Sequence, residues 1–173
     1  MLISQGRLQT AVRRLGREIT RRYRDRDLVL IGVLKGSFVF MADLARRIRL
    51  PLTCDFLRVS SYGSGTVSTG QVRFEFDTTQ PITGKHVLLV EDIVDTGRTL
   101  RTLIGILRPR RPRSVRICAL LHKPARTVVR VPIEFLGFSI PNEFVVGYGL
   151  DYAGRYRNLP YIGILRPGEE MPP

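Results

Sequence analysis

Three acidic residues, Glu91, Asp92 and Asp95, crowd one end of an apolar run, and Thr96, Gly97, Arg98 and Thr99 follow at once in the stretch LLVEDIVDTGRT. A run of this kind suits a strand buried on both faces. The turn that follows such a strand opens a helix, whose first backbone N–H groups point at the positive end of the helix dipole. Together with the hydroxyls of Thr96 and Thr99 they can cradle a phosphate, and Gly97 lets the backbone come close to a ligand. Carboxylates repel phosphate, so the ligand must carry hydroxyls as well as an anion. Glu91 and Asp92 can accept hydrogen bonds from vicinal hydroxyls or reach a cation through them. Asp95, between these acids and the phosphate cradle, is placed to exchange a proton with a reacting group. The pattern describes a sugar phosphate. It is neither the GxxxxGK[ST] of a Walker loop nor the GxGxxG of a dinucleotide site. An ordinary acidic helix cap would need one of these acids and leaves the other two unexplained.

Three further stretches could join that chemistry. In GVLKGS, at 32–37, Lys35 and Gly36 end another buried run, where a glycine-flanked lysine suits an anion; the alternative is an exposed lysine in a surface turn. SSYGSGTVSTG, at 60–70, has the composition of a mobile loop. LLHKPA sets Lys123 just past a third apolar run, and NEFVVGYGLDYAGRYR follows with Phe144, Val145, Asp151 and Arg157. Singly, Phe144 reads as core and Asp151 as a turn residue.

The elements that must position these groups follow from periodicity. Leu8, Val12, Leu15 and Ile19 recur at helical spacing, so residues 4–23 form an amphipathic helix. Buried strands are expected at 28–34, 85–92 and 114–121, helices at 36–48 and 98–108, and a strand at 52–62 with 71–77 as its hairpin return. Shorter strand-like pieces lie at 132–138, 143–150 and 161–165. Repeated strand–helix–strand order implies right-handed crossovers in an α/β fold with a central, mostly parallel sheet flanked by helices. In such sheets ligands sit beyond the carboxyl ends of the strands, where all the stretches above arrive.

The chain has 173 residues, 43% hydrophobic and 25% charged, which suits one domain over 1–173. No apolar run approaches the ~18 residues of a membrane span, and the N-terminus lacks the layout of a secretory signal. Cys54 and Cys118 sit in apolar runs without CxxC spacing, so both are expected to be buried, reduced thiols in a cytoplasmic protein. The net charge of +13 could mark a polyanion partner, but the basic residues are scattered, which suits an arginine-rich surface better. Only Lys35, Lys85 and Lys123 are lysines; the other 25 basic residues are arginine. A chain that so consistently chooses arginine keeps lysine where a compact ammonium is wanted.

VLLVEDIVDTGRTL resembles the phosphoribosyl-diphosphate signature of the type I phosphoribosyltransferases, and its VEDIVDTG form resembles the hypoxanthine–guanine branch. The likeness extends from IGVLKGS through FVVGYGLDY to the terminal YIGIL. It implies the type I phosphoribosyltransferase fold, with a small hood built from the chain ends. It also implies transfer of ribose 5-phosphate from phosphoribosyl diphosphate to a 6-oxopurine, hypoxanthine or guanine, in purine salvage. On this resemblance Asp95 is catalytic, and Thr96, Gly97, Arg98 and Thr99 hold the 5-phosphate. Glu91 and Asp92 meet the ribose and its metal. Lys35 and Gly36 receive pyrophosphate, often through a non-proline cis peptide before the lysine. Ser61 and Tyr62 open a lid over about 60–71. In the base-binding segment, about 122–165, Lys123 donates to the purine oxygen, Phe144 stacks on the ring and the backbone of Val145 reads its edge. Asp151 holds magnesium, the implied cofactor, and Arg157 meets pyrophosphate. Related enzymes are homodimers or homotetramers. His122 stands where bacterial relatives commonly carry an acid, and QVRFEFD is more aromatic than the usual segment after the lid. Two other readings are a xanthine-preferring enzyme and an RNA-binding regulator on the same scaffold. VEDIVDTG differs from the acid–turn sequence of such regulators, so no specific nucleic acid is expected.

Overall fold

The computed structural model describes residues 1–61, 72–166 and 168. The expected lid at 60–71, including Tyr62 and the side chain of Ser61, lies outside the described residues. Six strands form one sheet in the order β3-β2-β1-β4-β5-β6. β1 is Leu28–Val33, β2 Leu52–Ser61, β3 Val72–Phe76, β4 His86–Val94, β5 Ser114–His122 and β6 Phe135–Ser139. All neighbours run parallel except β2 and β3, which form the expected antiparallel hairpin.

The helices cover the two faces unequally. α1 (Gln5–Arg22) and α2 (Phe38–Ala45) lie on one face, where Leu8, Leu15, Phe40 and Leu44 pack with Leu28, Leu30, Leu88 and Val90. α3 (Arg98–Leu107) lies on the other, where Leu100, Leu103 and Leu107 pack with Val29, Ile31, Val87 and Leu89. Successive residues of β1 and β4 thus feed opposite cores, which is why their sequences are apolar without alternation. α1 begins where the Ser4 hydroxyl accepts from the Arg7 N–H at 3.4 Å. No helix among the described residues is long and apolar enough to cross a membrane.

Several expectations are refined. α2 starts at Phe38 rather than residue 36, because the buried Ser37 hydroxyl donates to the Val33 carbonyl at 2.7 Å and holds the preceding residues as a turn. β4 runs on to Val94, two residues past the expected end at 92, so Glu91 and Asp92 lie well inside the strand. The piece at 143–150 yields only the two-residue β7 (Val145–Val146), because Gly147, Tyr148 and Gly149 all have positive φ. β7 pairs antiparallel with β8 (Gly163–Ile164), and Ile3 bridges Ile162, so both chain ends build the expected hood.

Cys118 is buried as expected, but Cys54 is exposed. The pleat sends Asp55 and Leu57 inward and turns Cys54 to the opposite face. Asp55 is buried for a structural reason: it accepts from the backbone N–H groups of Phe56, Thr79 and Gln80 and so anchors the approach to β4.

Leu88, fully buried at the centre of β4, tests this core. Leu88→Ala is expected to cost about 2–5 kcal/mol, read as a lowered urea midpoint with an unchanged slope.

Candidate active site

The parallel register sets the site. Leu28 to Gly32 of β1 lie beside His86 to Val90 of β4, so the turn after β1 meets the last residues of β4. There a cleft of about 440 Å³ opens at the carboxyl edge of the sheet. It gathers Lys35 and Gly36 from the first turn, Glu91, Asp92 and Asp95 from β4 and its exit, Lys123 from the exit of β5, and Phe144, Val145, Asp151 and Arg157 from the hood. These are ten of the expected site residues, drawn from four separate stretches of chain. Thr96, Gly97, Arg98 and Thr99 do not line the cleft; they form the adjoining turn into α3.

The first turn is held tightly. Beyond the Ser37–Val33 bond, the Leu34 N–H donates to the Leu57 carbonyl at 2.9 Å. The Leu34–Lys35 peptide is cis. A Cβ on Gly36 would overlap the Asp92 carboxylate, so only glycine allows the two loops to touch here.

The second turn leans on the chain after β5. The Lys123 N–H donates to the Val94 carbonyl at 2.9 Å, which continues the β4–β5 pairing and sets Lys123 near Asp95. Arg126 donates to Asp95 Oδ1 at 3.2 Å. The N–H groups of Val128 and Val129 both donate to the Thr96 carbonyl. Gly97 has φ of +80°, and a Cβ there would overlap the Val129 carbonyl. The close approach expected at Gly97 is therefore made by the protein's own backbone. The N-cap Gly97 gives α3 no side-chain cap, and the Arg98 N–H makes only a long bond, 3.4 Å, to the Thr96 hydroxyl.

The hood supplies the remaining wall. Phe144 is half exposed and stands edge-on to Tyr152, with ring centroids 5.7 Å apart. Asp151 Oδ1 takes an ion pair from Arg157 at 2.6 Å, and its Oδ2 accepts from the Gly154 N–H. Arg157 also donates to the Gly149 carbonyl. The buried Tyr148 donates its hydroxyl to Asp43 of α2 at 2.6 Å, which ties the hood to the helix that follows the first turn.

Charge in the cleft is finely set. Burial pushes the Glu91 carboxyl well above its usual value, and the neighbouring Asp92 adds to the shift. Its Oε2 is sealed from water and has no hydrogen-bond partner among the described residues. Burial also raises Asp92 to about 6, against the lowering effect of the Ile93 N–H and Arg157. Glu91, a buried acid without a donor, is ready for a ligand that brings donors or a cation, while Asp92 already accepts from the Ile93 N–H at 2.8 Å. No cluster of three or more His, Cys, Asp or Glu able to hold a metal occurs among the described residues. The Glu91, Asp92 and Asp151 carboxylates that line the cleft suit magnesium, which is commonly held by one or two carboxylates plus substrate phosphates and water.

Sequence reasoning missed Arg126, whose partner Asp95 lies 31 positions away, and the packing of residues 127–129 on the DTG turn. No local signal marks either. His122 does not line the cleft; it pairs through Nε2 with the Thr127 hydroxyl at 3.1 Å.

The phosphoribosyl transferase domain family matches residues 4–153. Hypoxanthine phosphoribosyltransferase of Escherichia coli is 53% identical, over 94% of this chain and 93% of its own length. The bifunctional protein TilS/HprT of Listeria innocua is 52% identical over 96% of this chain; the chain spans only 26% of that relative's length. A crystal structure of a hypoxanthine phosphoribosyltransferase from Staphylococcus aureus superposes with a TM-score of 0.93 at 46% identity, covering 96% of this chain and 91% of the other.

Two substitutions test the cleft. Gly36→Ala should displace Asp92 and cut turnover by about tenfold or more, a loss of at least 1.4 kcal/mol in transition-state binding; wild-type turnover would refute the contact's importance. The second concerns pH. A carboxyl raised in the folded state binds more protons folded than unfolded, so stability falls as pH rises from about 4, the ordinary value, through about 6. In chelator-treated protein, Asp92→Asn should therefore raise the melting temperature above about pH 6, with the gain shrinking as pH falls from about 6 to about 4 and absent below that.

Proposed function

From membership of the phosphoribosyl transferase family, to which this chain belongs, we propose that it transfers ribose 5-phosphate from phosphoribosyl diphosphate to N9 of hypoxanthine or guanine. The products are IMP or GMP and pyrophosphate, and the role is purine salvage. The observation that carries this reading is the single cleft that joins Lys35, the acids of β4, Lys123 and Phe144.

In this reading the bond from ribosyl C1 to the pyrophosphate oxygen breaks, its electron pair leaves with pyrophosphate, and purine N9 forms the new bond to C1. Lys35 and Arg157 receive the leaving group's charge, and the turn 96–99, with Arg98, holds the 5-phosphate. Glu91 and Asp92 accept from the ribose hydroxyls, which satisfies the buried Glu91 Oε2 that lacks a donor among the described residues. Lys123 donates to the purine oxygen, Phe144 offers a face for the ring, and the backbone of Val145 meets the base edge. Asp95 takes the proton from purine N7 as positive charge builds on the ribosyl carbon, and Arg126 steadies its carboxylate. Glu91, Asp92 and Asp151 are the residues that would hold magnesium, directly or through water. When bound, magnesium neutralises the pyrophosphate leaving group. Ser61, Tyr62 and the rest of 60–71 serve as the lid that excludes water from the reacting carbon.

Most of the rate enhancement on this reading comes from orientation and charge placement rather than covalent catalysis. We further infer a cytoplasmic enzyme that assembles as a homodimer or homotetramer, a reading that rests on the resemblance to related enzymes.

The test is nucleotide formation with magnesium, phosphoribosyl diphosphate and each purine in turn. Hypoxanthine and guanine should give product faster than xanthine; no product from any 6-oxopurine refutes the proposal. Asp95→Asn should lower turnover about 10²-fold or more, and near-normal turnover would remove Asp95 from the proton transfer.

A further inference from the structure

At the amino-terminal edge of the sheet, opposite the cleft, α1 meets the chain that leads from α2 into β2. Arg13, Arg17 and Arg21 recur at four-residue spacing and form one exposed stripe on α1. Arg46, Arg47 and Arg49 face them, and the two sets line a groove of about 720 Å³ that shares no residue with the cleft. The backbone fixes the facing walls: a Cβ on Gly16 would overlap Arg47, and the Arg49 N–H donates to the Thr20 hydroxyl at 3.0 Å.

The groove is positive with a single compensating acid among the described residues, Asp43 on Arg46. Glu18, the one acid of α1, is spent on Arg14 on the neighbouring stripe, and Asp43 is spent on Arg46. Among the described residues, no acid forms an ion pair with Arg13, Arg17, Arg21, Arg47 or Arg49. Like charges at i,i+4 repel along a helix, so the stripe is a local cost that an anion would relieve. Guanidinium forks match phosphate oxygens bidentately. The lining holds no aromatic side chain on which bases could stack, and the positive charge converges on one pocket-sized hollow. That argues against a single-stranded nucleic acid and for a compact anion.

We propose that the groove between α1 and the α2–β2 connection binds a short chain of phosphates, either free or as the tail of a nucleoside polyphosphate. Occupancy brings the two sets of arginines onto one ligand and cancels their mutual repulsion. Because it uses no cleft residue, the site is separable from turnover.

The experiment is calorimetric titration of sodium tripolyphosphate into the full chain, without magnesium, at about 0.1 M salt, where surface charges act over roughly 10 Å. The wild type is compared with Arg17→Gln/Arg47→Gln, and with Arg101→Gln/Arg108→Gln as a control of equal charge on the other side of the molecule. The groove variant should lose one binding event or weaken it at least tenfold, while the control changes less than twofold and both retain wild-type turnover. Arg21→Gln alone, on an exposed side chain, should weaken the same event by two- to threefold. Adenosine or guanosine triphosphate in a parallel titration distinguishes the sources: affinity equal to tripolyphosphate assigns recognition to the phosphates alone, and tighter binding adds the nucleoside. Unchanged binding in the groove variant, an equal loss in the control, or no binding event outside the cleft overturns the proposal. Because turnover is measured separately, failure here leaves the transferase reading intact, and failure of that reading leaves this titration interpretable.

Discussion

The bare α-carbon of Gly36 packed against the Asp92 carboxylate is the contact on which the site depends. It brings an ammonium-bearing turn and an acid-bearing strand end together at van der Waals range, and it exists only because β1 and β4 pair in parallel with Gly32 beside Val90. A shift of that register by one residue would turn every side chain of β4 to the other face and separate the two turns. The Ser37–Val33 and Leu34–Leu57 bonds fix the turn after β1, and the residues of β1 and β4 buried on both faces hold the register between them.

Around this contact the protein keeps acids short of donors on one wall and cations on the others. Glu91 and Asp92 hold protons more firmly than free carboxyls do, while Lys35, Lys123 and Arg157 line the same cleft and Arg126 pairs with Asp95. Such a site is poised for a ligand with hydroxyls at one end and phosphates at the other. The buried Glu91 carboxyl, its Oε2 unpartnered among the described residues, is the structural cost of that readiness, carried by the two large cores on either face of the sheet.

Arginine and lysine divide the positive charge by role. Lys35 and Lys123 reach the cleft, whereas Lys85 begins β4 at the far edge, where its backbone N–H closes a turn on Ile82. Arginine fills the surface and gathers in the α1–α2 groove. In the sequence the two walls of that groove are separate basic patches, about 25 residues apart, and look like scatter.

Much of the fold is legible in the sequence because its causes are local. Helical spacing in α1 and unbroken apolar runs in β1, β4 and β5 follow from burial on one face or on two. The acid–turn stretch at 91–99 is legible for the same reason, since strand, turn and helix start are contiguous. Tertiary structure alone decided what depends on distant partners. Cys54 is exposed because the pleat, not the apolar run, chooses its face. Phe144 and Asp151 join the site because the chain ends meet in the hood through Ile3 and Ile162. Arg126 reaches Asp95, and Val129 occupies the space beside Gly97, because the β4–β5 pairing continues past the strands to Lys123. Residue types carried the chemistry; which groups share a cleft was set by register and by the meeting of remote segments, and neither leaves a mark on local spacing.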